Sequence, residues 1–167
     1  MTLDLGNSRT FCITSNYTWH SVIEASFARL DEFLKTRDWN GRENEVVNLF
    51  AHEFLPMEIR PDSVFYSLSQ TGIEVAVWQV SGSRKKYVRK DLVLWNEPLL
   101  NPWHKSNPAP AAIIEWKRND LRLRETDIEW LQKFTNRFPQ TIGYSACAML
   151  RKNKGVDWKK VEAGFVC

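Results

Sequence analysis

Two short apolar runs with charges set into them constrain this chain more than any other feature. Residues 90–95 read Lys-Asp-Leu-Val-Leu-Trp and residues 111–118 read Ala-Ala-Ile-Ile-Glu-Trp-Lys-Arg. A connection containing Pro98, Pro102, Pro108 and Pro110 joins them. Each run has the length of a buried strand, yet each carries charges that an ordinary core rejects. Strand side chains alternate, so Glu115 and Lys117 share one face while Ile114 and Trp116 share the other. If the two strands pair, Asp91 lies near Glu115. Two carboxylates about 4 Å apart repel by roughly 4 kcal/mol at an effective dielectric near 20. Lys117 offsets part of that, and a hard divalent cation with oxygen ligands offsets the rest. The pattern outlines a metal site.

The remaining elements follow in order. Residues 1–17 have no period and read as an extended lead-in or a loose strand. Trp19, Val22, Ile23, Phe27, Leu30, Phe33 and Leu34 recur at helical spacing, with Ser21 and Glu24 as a capping box near the start. A second helix is expected over residues 42–55, closed by Pro56, with Val46, Val47, Phe50 and Phe54 as its stripe. At 100° per residue Glu43 falls near the centre of that stripe and Glu45 on the solvated side. Glu43 also has a plainer role open to it, as capping-box partner of Asn40. Residues 73–80 and 87–95 alternate as strands around a turn at 81–83. A third helix is expected from Thr126 as N-cap with Glu129, its stripe Ile128, Leu131, Phe134 and Phe138, stopped by Pro139. Residues 141–150 read as a buried strand. The lysine-rich tail around Asp157 and Trp158 reads as a short exposed helix.

Composition narrows the class. At 167 residues, 43% apolar and 26% charged, the chain is expected to form one globular domain over residues 1–167. The longest apolar runs are far short of a membrane span, and no secretory leader is visible at the N-terminus. Cys12, Cys147 and Cys167 are widely spaced, which suits a reducing cytosol rather than a disulfide framework or a zinc site. A net charge of +3 permits nucleic-acid binding without requiring it. There is no phosphate-binding glycine loop, nucleophile elbow or zinc pattern. His20, His52 and His104 have no mutual ligand spacing.

An aspartate opening one strand, then Glu-x-Lys on the next, resembles the signature of the PD-(D/E)XK nucleases, the restriction-endonuclease-like superfamily. The resemblance covers about residues 42–150, because the order of elements fits as well as the motif. Lys90 stands where that signature has proline. A literal Pro61-Asp62 precedes an unpatterned stretch and reads as a turn. The run Glu43 to Val47 resembles the start of the first core helix in Holliday-junction resolvases, whose first glutamate is the functional one.

That resemblance implies an α/β fold with a restriction-endonuclease-like core, αβββαβ, its mixed central sheet flanked by helices, plus an additional N-terminal helix. It implies a metal-dependent endonuclease acting on DNA, with Asp91 and Glu115 holding magnesium or manganese and Glu43 binding the ion directly or through water. The ion would activate a water and neutralise charge on the scissile phosphate. Lys117 would orient or help deprotonate that water. Arg84, Lys85, Lys86, Arg89 and Lys90 form the densest cationic cluster and either contact DNA phosphates or are merely solvated; Arg118 joins them as a candidate. Trp103 and His104, in the proline-rich loop, are weaker candidates for facing substrate. With no separate specificity domain, recognition would come from the chain's own loops, a homodimer or a protein partner. The alternative is a non-catalytic nucleic-acid-binding or assembly module that keeps the nuclease fold.

Overall fold

A computed structural model of the chain describes residues 17–80, 86–99 and 108–167. Helix α1, Trp19–Thr36, is capped by Thr18, whose side chain accepts from the Ser21 N–H while Ser21 Oγ accepts from the Thr18 N–H at 2.9 Å. The expected Ser21–Glu24 box therefore gives way to a start three residues earlier. The physical reason is Trp19, which is buried against Phe65 with its indole N–H donating to Asn96. Helix α2, Glu43–Leu49, runs into a wide π-helical turn, Phe50–Phe54, and a 3-10 turn, Leu55–Glu58. Pro56 sits in the first turn of the latter, where no N–H is required, so it does not end the helical segment as expected.

Six strands form one mixed sheet: β1 Thr71–Trp78, β2 Tyr87–Leu94, β3 Ala112–Arg118, β4 Ile142–Met149, β5 Gly155–Glu162 and β6 Phe165–Val166. They lie in sequence order, and all neighbours are antiparallel except β3 and β4. A parallel pair needs a crossover, supplied by helix α3, Arg124–Arg137. This helix does not begin at Thr126. Asp120 caps a preceding 3-10 turn by accepting the Arg122 N–H at 3.0 Å, and the chain is already helical two residues before Thr126.

The tail is a strand rather than the expected helix. Val156 and Trp158 pack on the α1 side of the sheet, Trp158 stacking on Phe27 with ring centres 5.7 Å apart. The interleaved lysines hid this period of two.

Two cores result. Buried side chains of α1, α2, β2, β3 and β4, including Leu92, Ile114, Trp116, Tyr144 and Ala146, form one of them. On the opposite face Val75, Val77, Val93, Ile113 and Val161 pack against Trp130, Leu131 and Phe134 of α3. The molecule is thus an α/β structure with helices on both faces of a mixed sheet.

Candidate active site

The middle of β1 and β2 departs from simple alternation. Residues two apart in a strand normally share a face. Ile73 packs against the α1–α2 core, however, while Val75 and Val77 belong to the α3 core. On β2, Leu92 lies in the α1–α2 core, whereas the Lys90 ammonium sits 3.6 Å over the ring of Trp130 in α3. Both strands turn over at Glu74 and Asp91, between the paired residues Ile73↔Leu92 and Val75↔Lys90. Glu74 has φ 56°, a left-handed conformation costing about 1–3 kcal/mol for a residue with a Cβ, and one that recurs at functional sites.

The pairing of β2 with β3 also ends here. Ladder pairs extend from Leu94↔Ala112 to Leu92↔Ile114. The Trp116 N–H then donates to the Asp91 carboxylate at 2.7 Å instead of continuing the ladder. Asp91 is consequently pinned at the point where the two strands separate. Glu115 and Lys117 follow on the α3 face of β3. Glu115 is 5% exposed and forms an ion pair with Lys90. Lys117 donates to the Trp116 carbonyl at 2.9 Å and pairs with Asp127 of α3 at 2.9 Å.

Glu43 joins from the other face. Helix α2 is capped at Arg42, whose N–H is accepted by Glu45, so Glu45 closes the capping box. Asn40, the expected cap, instead accepts from the Arg118 guanidinium at 2.7 Å. Relieved of capping, the Glu43 carboxylate lies near enough to the Arg118 backbone N–H for that group to draw its pKa down. It lines a cleft of about 280 Å³ with Asn44, Asn48, Glu74 and Asp91.

These groups act on one another electrostatically. Burial raises the Glu43 carboxyl above its ordinary value; Lys117 opposes the rise, and Asp91 and Asp127 add to it. Burial pushes Glu115 up to about 8, with Lys90 pulling down and Asp91 and Asp127 pushing up. Burial works against the charge on Lys117, yet its bond and attraction to Asp127, helped by Glu43 and Asp91, raise its pKa overall. Above the Glu115 titration, four carboxylates and two ammonium groups share the cluster, an excess of two negative charges. A divalent cation carries that charge, and carboxylate oxygens are the ligands hard cations take. Asp91, Glu43 and Glu115 are the carboxylates of this cluster that a cation would need as ligands. Among the described residues, though, no three His, Cys, Asp or Glu side chains are already gathered closely enough to enclose an ion. In this arrangement Lys90 is paired with Glu115, and one Asp91 oxygen accepts the Trp116 N–H.

The shift at Glu115 predicts a pH dependence of stability. The unfolded carboxyl titrates near 4.5 and the folded one at about 8. Between those values the folded chain holds a proton that the unfolded chain has released, so stability falls as pH rises through that window. Urea denaturation at stepped pH should show the decline, and Glu115→Gln should flatten it. An equal slope in both proteins would remove Glu115 as its source.

The cationic candidates divide. Lys90, expected at a phosphate, is 6% exposed and committed to Glu115 and Trp130, which removes it from any DNA-facing surface in this conformation. Lys86 lies 5.1 Å over the Trp78 ring, and Arg89 is exposed on β2. The Arg118 guanidinium is tied to Asn40. Arg84 and Lys85, the turn at 81–83, Trp103, His104 and Cys12 lie outside the described residues. His52 is exposed on the π-helical turn, and His20 binds Tyr144 Oη at 2.8 Å and the Glu162 carboxylate, away from the cluster.

Sequence reasoning missed Asp127, Glu74 and the inward course of Lys90. Asp127 was legible as an acidic residue three positions before Trp130 on one helix face. The reversal of β1 and β2 that redirects Glu74 and Lys90 has no such signal. No helix among the described residues is long and apolar enough to cross a membrane. No family model, curated protein or solved structure matches this chain.

Proposed function

We propose that this protein is a divalent-metal-dependent nuclease hydrolysing phosphodiester bonds, with DNA as the favoured substrate and a restriction-endonuclease-like core as its scaffold. One observation carries the reading. Asp91 couples electrostatically with Glu43, Glu115 and Lys117 where β2 and β3 part, on a sheet whose strand order and parallel β3–β4 pair suit that scaffold.

Bound magnesium or manganese would supply a Lewis acid for the phosphate and an activated water. Asp91, pinned by the Trp116 N–H, keeps its second oxygen for that role. Glu43 brings a carboxylate from the opposite face; burial first, then Asp91 and Asp127, raise its pKa, and a bound cation would lower it. Lys117 is held as an ammonium by Asp127, so its chemistry is to donate hydrogen bonds and offset phosphate charge rather than to accept a proton. Glu115 completes the set when Lys90 releases it. Lys86 and Arg89 would meet the phosphate backbone at the start of β2.

Incubation with supercoiled plasmid and branched DNA, in magnesium, manganese or chelator, tests this. Cleavage is expected with either metal and none with chelator; equal cutting in all three would reject the metal-dependent reading. The pairing of Glu115 with Lys90 favours a second reading, a non-catalytic nucleic-acid-binding or assembly module that keeps the scaffold. DNA binding without cleavage under every metal condition would select it.

A further inference from the structure

Building on that reading, we propose that Lys90 is a built-in competitor for the metal: an ammonium already seated on the Glu115 carboxylate, which a divalent ion must displace to gain that ligand. The seat is constructed from three sides. The strand reversal at Asp91 sends Lys90 towards α3 instead of into the α1–α2 core where Leu92 lies. Its ammonium lies 3.6 Å above the Trp130 ring, a face that attracts cations more strongly when shielded from water. The Trp130 N–H donates to Gln79 at 2.7 Å, which fixes the ring beneath it. The Glu115 carboxylate closes the site, and the two charged side chains are 7% and 6% exposed.

A cation bound to this carboxylate lies within a few ångström of the ammonium, and burial strengthens their repulsion. The chain therefore lowers its own metal affinity through Lys90 and gains full ligation only when Lys90 swings away. Lys90 is a positioning residue here. It acts through Glu115 and reaches neither substrate nor reacting atoms.

Manganese chloride is titrated calorimetrically into the full chain as wild type, Lys90→Met and Lys90→Gln, at a pH above the Glu115 titration, with circular dichroism recording the fold. The Lys90 variants should bind manganese at least about ten-fold more tightly than wild type, a difference of about 1.4 kcal/mol. The same ion should also raise their Tm further. Adding Glu115→Gln to either variant should cancel the gain, which separates loss of the competitor from a general change of net charge. Lys90→Gln can still hydrogen-bond Glu115, so it carries the comparison if Lys90→Met does not fold. Equal or weaker binding by a folded Lys90 variant, with wild type binding manganese, overturns the competitor role and leaves the metal reading standing. No binding by any of the proteins overturns both.

Discussion

Asp91→Asn is expected to reduce metal-dependent DNA cleavage by roughly 10³-fold, the scale on which removing one group that stabilises developing charge acts. The substitution is close to isosteric, and an Asn side-chain oxygen still accepts the Trp116 N–H that Asp91 binds at 2.7 Å. The separation of β2 and β3 should therefore survive, and the thermal transition should move little. What is lost is the negative charge on the carboxylate pinned where β2 and β3 separate. Repulsion from Asp91 also raises Glu43 and Glu115. Neutralising it should lower both carboxyls and weaken the cluster's demand for a cation. Cleavage assays paired with circular dichroism decide the matter. Full activity in a folded Asp91→Asn protein would place the chemistry elsewhere.

Trp116→Ala is expected to cost about 3–5 kcal/mol, the range for deleting a large buried aromatic side chain. The residue is fully buried, with Phe27 edge-on at 5.6 Å and Phe50 at 5.2 Å between ring centres. Those two rings belong to α1 and to the π-helical turn, so the truncation opens the junction at which both helical segments meet β3. For a chain of this length the cost corresponds to a fall in Tm of roughly 6–20 °C. Trp116→Phe should cost much less. It keeps a ring between Phe27 and Phe50 and removes an indole N–H that is buried without a hydrogen-bond partner. Thermal denaturation of the two variants tests the ordering; a Phe variant as unstable as the Ala one would mean that the indole makes a polar contact worth more than its volume.

Much of this architecture was legible because its signals are local. The stripe from Trp19 to Leu34 fixes α1, alternation fixes β1, and the charged runs fix β2 and β3 together with the faces on which Ile114, Glu115, Trp116 and Lys117 lie. The helix starts were less legible. Thr18, Arg42 and Asp120 win as caps over Ser21, Asn40 and Thr126 because buried Trp19, the Asn40–Arg118 bond and the Asp120 turn settle each terminus through tertiary contacts. The tail was misread because Lys159 and Lys160 mask the strand period that Trp158 and Val161 obey.

At the site, alternation placed Glu115 and Lys117 together but had no access to the reversal at Glu74 and Asp91. That reversal explains why Lys90, in a run of cations that looks solvent-facing, ends against Glu115 and Trp130.

The central claim is that Asp91, Glu43 and Glu115 form a divalent-cation site, and it is tested most directly without any substrate. Manganese titrated into the wild-type chain and into Asp91→Asn, followed by calorimetry and by thermal shift, should give saturable binding and a raised Tm for wild type. Both should be lost or greatly weakened in the variant. Indistinguishable responses of the two folded proteins, whether both bind or neither does, would contradict the account.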